Sequence, residues 1–64
     1  MMREYSILDM MPFGKYREEL VGTVIEEDRD YIHWAMNNTD FRLDAHGEKY
    51  LKIVDLAREM EDEE

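Results

Sequence analysis

The stretch best suited to bind an anion is Gly14-Lys15-Tyr16-Arg17, in which two cations flank an aromatic ring. A glycine followed by a lysine also ends the phosphate-binding loop of nucleotide-binding proteins, but that motif needs a second glycine five positions upstream and a Ser or Thr after the lysine. Asp9 and Tyr16 occupy those two positions, so a nucleotide-binding loop is excluded. The remaining chemistry is a base stacked on Tyr16 with its phosphate paired to a cation, which the neighbouring Glu18 and Glu19 oppose.

Catalytic and metal-binding arrangements are not indicated by the other polar residues. Ser6 is the only serine and does not lie in a G-x-S-x-G nucleophile elbow. Cysteine is absent, which excludes a thiolate nucleophile, a disulfide and a zinc-thiolate site. His33 and His46 lack the spacing of a metal-binding pair, and carboxylates adjacent in sequence lie on different helix faces and stay solvated. We therefore expect no enzyme activity, no metal and no cofactor.

The chain is strongly acidic, with 17 acidic and 8 basic residues and a net charge of −9. This charge repels nucleic acid and anionic membranes, so we expect neither to be bound directly. It favours a basic partner surface, including the DNA-binding groove of another protein. The carboxylates that would imitate DNA phosphates in such a groove are those of Glu26, Glu27, Asp28, Asp30, Asp55 and Glu59.

The 64 residues are enough for one small domain, residues 1–64, at the lower limit of independent stability. A chain this short often gains stability by self-association or by docking on a partner, and the sequence leaves both open. We expect a lead-in segment, residues 1–8, and an acidic tail, residues 61–64, to be mobile. No apolar run reaches the roughly 20 residues that cross a bilayer, and the first residues lack the apolar core of a signal peptide, so we expect a cytoplasmic protein.

Hydrophobic spacing and turn residues predict a mostly helical α+β fold. Pro12 and Gly14 lie between apolar residues and favour a short β-hairpin that begins near the proline. Val21, Val24 and Ile25 have the spacing of one helical face, and aspartates precede the next two helices as N-caps. The predicted elements are a β-hairpin at about residues 10–20, helices at about 21–28 and 30–38 with Asp28 or Asp30 as the cap of the second, and a long C-terminal helix at about 45–61 capped by Asp44.

The core is predicted from the aromatic residues and from the apolar stripe of the C-terminal helix. Trp34 is the only tryptophan, and we expect it at the centre of the core. At these positions the aromatic rings are expected to be core rather than a platform for a ligand. The predicted core residues are Phe13, Tyr31, Trp34, Phe41, Leu43, Tyr50, Ile53, Val54 and Ala57.

Three blocks of sequence, in this order and spacing, carry a family resemblance. They are "MPFGKYR" at residues 11–17, "VIEEDRDYIHWAM" at residues 24–36 and "NTDFRLD" at residues 38–44. Together they resemble the exodeoxyribonuclease X-like C-terminal domain family over roughly residues 9–57. Members of that family occur as the tail of a larger exonuclease and as small stand-alone proteins of bacteria and phages, including a group described as quorum-sensing-regulated virulence factors.

The resemblance implies a compact hairpin-plus-helices module linked to nucleic-acid metabolism, and it implies no reaction, because exonuclease chemistry belongs to a separate domain. The chain departs from the family pattern at two positions. Glu18 stands where members usually have glycine, and Arg29 stands where many have proline. The carboxylate of Glu18 adds negative charge beside Lys15 and Arg17. An anion-binding role of this turn in other family members is therefore less expected in this chain.

Three functions remain open from the sequence. The first is a small stand-alone module that binds and modulates a protein partner, such as a nucleic-acid-processing or host-defence enzyme; if a phage encodes the chain, this occurs in the host cytoplasm. Its contact residues would be Phe13, Gly14, Lys15, Tyr16 and Arg17. The second is an acidic DNA mimic that inhibits an enzyme through the carboxylates named above. The third is a weak nucleic-acid or nucleotide binder that uses the turn at residues 14–17.

Overall fold

The computed structural model describes residues 3–61. In this range the chain forms α1 (Val21–Glu27), α2 (Arg29–Asn38) and α3 (Ala45–Glu61), together with a sheet of two strands, β1 (Glu4–Tyr5) and β2 (Arg42–Leu43). The predicted mostly helical α+β fold is confirmed, and each helix begins and ends within one residue of its predicted bounds. No helix among the described residues is both long and apolar enough to cross a bilayer.

Aspartate caps explain where α2 and α3 begin. The Asp28 carboxylate accepts a hydrogen bond from the Tyr31 backbone N–H at 3.2 Å, and the Asp44 carboxylate accepts one from the Gly47 N–H at 2.8 Å. Both N–H groups lie in the first turn of a helix, where no carbonyl four residues earlier in the helix can accept from them, and the Tyr31 N–H donates to the Asp28 backbone carbonyl as well, at 3.0 Å. Asp28 rather than Asp30 is therefore the cap of α2, and Asp30 lies in the first turn, where the helix dipole favours a negative charge.

The sheet joins the lead-in segment to the connection between α2 and α3. Strands β1 and β2 are parallel, with Glu4 opposite Arg42 and Tyr5 opposite Leu43. The Asp44 N–H donates to the Tyr5 carbonyl at 2.9 Å, which extends the pairing to the cap of α3. The described part of the lead-in segment therefore contributes a strand. Residues 1–2 of that segment and 62–64 of the acidic tail lie outside the described residues.

The predicted β-hairpin at residues 10–20 is present only as a loop closed by isolated bridges. Met10 forms an antiparallel bridge with Leu20, and the Met11 N–H donates to the Glu19 carbonyl at 2.8 Å. A continuous ladder does not form because Pro12 has no N–H to donate and because the backbone turns through a left-handed conformation at Gly14.

The core lies between the three helices, the start of the loop and β2. Its buried residues are Met11, Val21, Val24, Ile25, Ile32, Ala35, Phe41, Leu43 and Leu51. The predicted burial of Phe41 and Leu43 is confirmed. The partly buried side chains that pack against this cluster include four more of the predicted core residues, Phe13, Tyr31, Tyr50 and Val54.

The prediction that Trp34 lies at the centre of the core is wrong, because its side chain is 51% exposed. Helix α2 turns Ile32 and Ala35 inward instead. Trp34 lies two residues beyond Ile32, and two residues rotate an α-helix by about 200°, to the opposite side. Packing of α2 on α1 decides which face is inward, and that choice is not visible in the local pattern.

The predicted burial of Ile53 and Ala57 is also wrong, because both are exposed. Helix α3 has two apolar stripes, and the one that faces the core contains Gly47 and Leu51. Gly47 permits close packing, since a Cβ there would lie 3.1 Å from the Leu43 Cβ. The second stripe, which includes Ile53, faces solvent.

Candidate functional site

Gly14 brings the loop at residues 10–20 against the exposed side of α2. Its φ of 81° is in the left-handed region that glycine adopts readily. A Cβ at this position would overlap the hydroxyl oxygen of Tyr31. Backbone conformation and close approach therefore both require glycine here, which gives a physical reason for the glycine of the "FGKY" string.

The Asp28 carboxylate joins the loop to the start of α2. The Tyr16 hydroxyl donates to Asp28 Oδ2 at 2.8 Å, and Lys15 Nζ lies 3.7 Å from the same oxygen. Asp28 Oδ1 caps the helix at the Tyr31 N–H. One side chain thus holds both the turn and the helix N-terminus.

The shared hydrogen bond changes the acidity of both partners. Donation to Asp28, followed by partial burial and by the neighbouring carboxylates, raises the pKa of Tyr16 to about 12. The same bond lowers the pKa of Asp28, with further contributions from the Tyr31 N–H and Lys15, although burial acts in the opposite direction. Both groups keep their ordinary charge state at neutral pH, so the link is intact there.

Lys15, Tyr16, Tyr31 and Trp34 form a continuous patch that we call the aromatic surface. The ring of Tyr16 meets Tyr31 edge-on at 5.0 Å between centroids, and Tyr31 stacks on Trp34 at 5.7 Å. Lys15 Nζ lies 5.2 Å from the Tyr16 ring centroid and 5.8 Å from that of Tyr31. Trp and Tyr dominate the residues that carry binding energy at protein interfaces, and exposed rings can also stack on other planar groups.

The other two residues of the predicted turn site lie away from this surface. Phe13 is half-buried and packs edge-on against Phe41 at 6.1 Å, so it belongs to the core margin. Arg17 lines a shallow cleft with Arg3 and Tyr5, and Lys15 does not line that cleft. The two cations of the turn therefore do not face one ligand.

The predicted acidic face is divided by intramolecular contacts. The Glu26 carboxylate accepts a hydrogen bond from the Tyr50 hydroxyl. Asp55 lies 3.5 Å from Arg29 and 3.0 Å from His33 Nε2, which ties α3 to α2. With Asp28 engaged as above, three of the six carboxylates serve the fold, and the other three, Glu27, Asp30 and Glu59, are exposed.

Neither histidine belongs to a metal-binding cluster in the part of the chain that is described. Within residues 3–61 no group of three or more His, Cys, Asp or Glu side chains is arranged to hold a metal ion. His33 pairs with Asp55, and His46 is exposed in the first turn of α3.

The segment that contains the aromatic surface matches a known family. The model of the exodeoxyribonuclease X-like C-terminal family matches residues 11–40. The chain is therefore similar to this family over residues 11–40, which supports the resemblance predicted from the sequence. This segment contains the whole aromatic surface as well as Gly14 and Asp28. No curated protein and no solved structure matches the chain significantly.

The structure gives a physical reason for each departure from the family pattern. Glu18 has a φ of 77°, a conformation that costs roughly 1 kcal/mol or more for a residue with a Cβ and little for glycine. Arg29 is the first residue of α2, a position where proline is favoured because that N–H has no helical partner. The usual family residues therefore suit this backbone, and Arg29 instead contacts Asp55.

Sequence reasoning missed two features of the site. The exposure of Trp34 was not predicted, because a lone tryptophan in a helical pattern is typical of a core. Asp28 was predicted only as a cap and a possible acidic-face residue, and its contact with Tyr16 spans twelve positions with no local signal.

Proposed function

We propose that this chain is a non-catalytic interaction module that binds and modulates a nucleic-acid-handling protein of bacterial or phage origin, with the aromatic surface as its contact site. The observation that carries the proposal is the half-exposed Trp34 ring, stacked on Tyr31 beside Tyr16 and Lys15. The match to an exodeoxyribonuclease X-like C-terminal family supports a role in nucleic-acid metabolism.

Preorganisation of the aromatic surface supports its role in binding. Gly14 fits under the Tyr31 hydroxyl, and the Tyr16 hydroxyl is fixed by Asp28. Rings that are already oriented lose little conformational freedom when a partner covers them, so more of the contact energy contributes to affinity.

The charge distribution favours a protein partner over a nucleic acid. Surfaces that bind single strands combine stacking rings with a basic groove that follows the phosphates. Here the only cation of the aromatic surface, Lys15, already lies 3.7 Å from Asp28. The net charge of −9 further opposes a polyanion and favours a basic protein surface.

The test is retention of a partner by the immobilised full chain and two variants. Trp34→Ala removes the most exposed ring, and Leu8→Ala removes an exposed apolar side chain outside the matched segment. A bacterial lysate treated with nuclease is the source, so that nucleic acid cannot bridge the proteins. We expect the wild type and Leu8→Ala to retain the same nucleic-acid-handling protein from the lysate. When that partner has been purified, we expect Trp34→Ala to bind it at least tenfold more weakly than the wild type does.

Two results would contradict the proposal. One is a partner that binds Trp34→Ala as tightly as the wild type. The other is a single-stranded oligonucleotide that binds the wild type at low ionic strength and loses binding in Trp34→Ala and Lys15→Ala, since the surface would then read nucleic acid directly.

A further inference from the structure

Helix α3 carries a second exposed apolar surface, on the side away from the core. Ile53, Leu56 and Met60 are 54%, 52% and 75% exposed. They are aliphatic, lie outside the segment matched by the family model and belong to a different helix from the aromatic surface. The interactions proposed above do not use them.

The spacing of this stripe is that of a two-helix seam. Lys49, Ile53, Leu56 and Met60 are separated by four, three and four residues, the alternation that places side chains along one edge of paired helices. The aliphatic stem of Lys49 can continue such a seam while its ammonium group stays in water. Lys49 and Lys52 are both exposed, so no other part of the described chain covers this side of α3 at these positions.

We propose that this stripe, the α3 seam, binds the α3 seam of a second copy of the chain in antiparallel orientation. If the two-fold axis passes between Val54 and Asp55, Ile53 of each copy packs against Leu56 of the other. Met60 of each copy then packs on the Lys49 stem of the other.

The charged residues that flank the seam fit this orientation. In the same register Lys52 of each copy lies across from Glu59 of the other, so the two-fold axis generates two opposite-charge pairs. A parallel pairing would instead bring Lys49 beside Lys49. Charges at these flanking positions set orientation and partner choice in paired helices.

Both flanking charges are free to pair between copies. Within residues 3–61 neither Lys52 nor Glu59 forms an ion pair or a side-chain hydrogen bond. A chain of 64 residues without disulfides also gains stability from self-association more readily than a larger one. The seam thus has both an apolar contact and a charge pattern that a second copy complements.

The test is sedimentation equilibrium of the full chain over a range of concentrations, at about 0.15 M salt, where the Debye length of about 8 Å screens the net charge of each copy. We expect the wild type to dimerise and Lys52→Glu and Glu59→Lys each to weaken the dimer about tenfold, because each turns two attractive pairs into repulsive ones. The double variant Lys52→Glu/Glu59→Lys is expected to recover wild-type affinity within about threefold.

Orientation is tested separately with cysteines, which the chain lacks. An equimolar mixture of Lys49→Cys and Met60→Cys chains should form the mixed disulfide in preference to either homodimer, because only antiparallel helices bring positions 49 and 60 together.

Three outcomes would overturn the proposal: a wild-type chain that stays monomeric at millimolar concentration, a double charge variant that remains as weak as the single ones, or disulfides that form mainly between identical chains. Leu56→Glu serves as the control that removes the seam; circular dichroism shows whether it stays folded, as its exposure predicts. Trp34 does not lie in the α3 seam. A folded Leu56→Glu variant that no longer dimerises can therefore still be tested for binding of a partner protein to the aromatic surface.

Discussion

Helices α2 and α3 both present large apolar side chains to solvent, but they support them differently. On α2 the Trp34 ring is stacked on Tyr31, which is itself held against the loop at Gly14 and beside Tyr16. On α3 the exposed Ile53, Leu56 and Met60 are flexible or branched aliphatic side chains in a regular row. The first surface is fixed by neighbouring residues, and the second is defined only by helical spacing.

This difference indicates different partners for the two surfaces. An aromatic patch whose rings already pack on one another can recognise a particular shape, because less conformational freedom is lost when a partner covers it. A regular aliphatic stripe matches another helix with the same spacing. We therefore propose a different protein as the partner of the aromatic surface and a second copy of the chain as the partner of the α3 seam.

The largest expected effect is a loss of unfolding free energy at the core-facing stripe of α3 that is not seen at the α3 seam. Leu51 is 5% exposed and Leu56 about half exposed, so the same substitution tests both stripes. We expect Leu51→Ala to lower the free energy of unfolding by about 2 to 5 kcal/mol and Leu56→Ala by less than about 1 kcal/mol. Urea unfolding followed by circular dichroism, at a concentration where the chain is monomeric, measures both. Equal losses would show that the two stripes are not distinguished by burial.

The next effect tests the support of the aromatic surface at Gly14. Gly14→Ala should destabilise the chain by about 2 kcal/mol, because alanine is strained at positive φ and its Cβ overlaps the Tyr31 hydroxyl. In a Tyr31→Phe background the overlap with that oxygen is gone, so the same substitution should cost only about 1 kcal/mol. If Gly14→Ala is as harmful in Tyr31→Phe as in the wild type, the close approach contributes nothing.

A smaller, opposite effect is expected at Glu18. Glu18→Gly should stabilise the chain by about 0.5 to 1 kcal/mol, because glycine adopts the left-handed backbone conformation there without strain. Glu19→Gly is the matched control, since Glu19 does not have a positive φ, and it should not stabilise. Thermal unfolding of the two variants gives the sign. Stabilisation by both would point to relief of negative charge instead of backbone strain.

The smallest effect is the pH dependence of the link between Tyr16 and Asp28. The pKa of Asp28 is lowered from 3.8, so the stabilisation from its contacts is complete above about pH 4 and is lost as the pH falls through the lowered value. The pKa of Tyr16 is raised from 10.0 to about 12, so its stabilisation is complete below pH 10 and is lost as the pH rises towards 12. Tyrosinate absorbance should show a late titration that is absent in Tyr16→Phe. A wild-type titration curve identical to that of Tyr16→Phe would contradict the hydrogen bond between Tyr16 and Asp28.

The helices could be predicted from the sequence because their signals are local. Asp28 and Asp44 each come just before a segment whose apolar residues have helical spacing, and both cap helices. The inward faces could not be predicted for α2 and α3, since each helix has apolar residues on two sides and packing against other elements decides between them. For the same reason Trp34, Ile53 and Ala57 were assigned to the core.

The candidate site was predicted in part. The turn at residues 14–17 contributes Lys15 and Tyr16 to the aromatic surface, but Arg17 faces another cleft. Tyr31 and Trp34 were expected to be core, and their assembly with the turn depends on contacts between residues distant in sequence. The parallel pairing of β1 with β2 could not be predicted either, because strands of two residues have no periodic sequence pattern.

The central claim is that a partner protein covers the aromatic surface, and Trp34 reports on this directly because it is the only tryptophan of the chain. The measurement is its fluorescence during titration with a purified partner that lacks tryptophan or carries a tryptophan analogue with distinct emission. We expect a blue shift and protection from a soluble quencher as the half-exposed ring is buried. A complex that forms while the emission and quenching of Trp34 stay unchanged would contradict the claim.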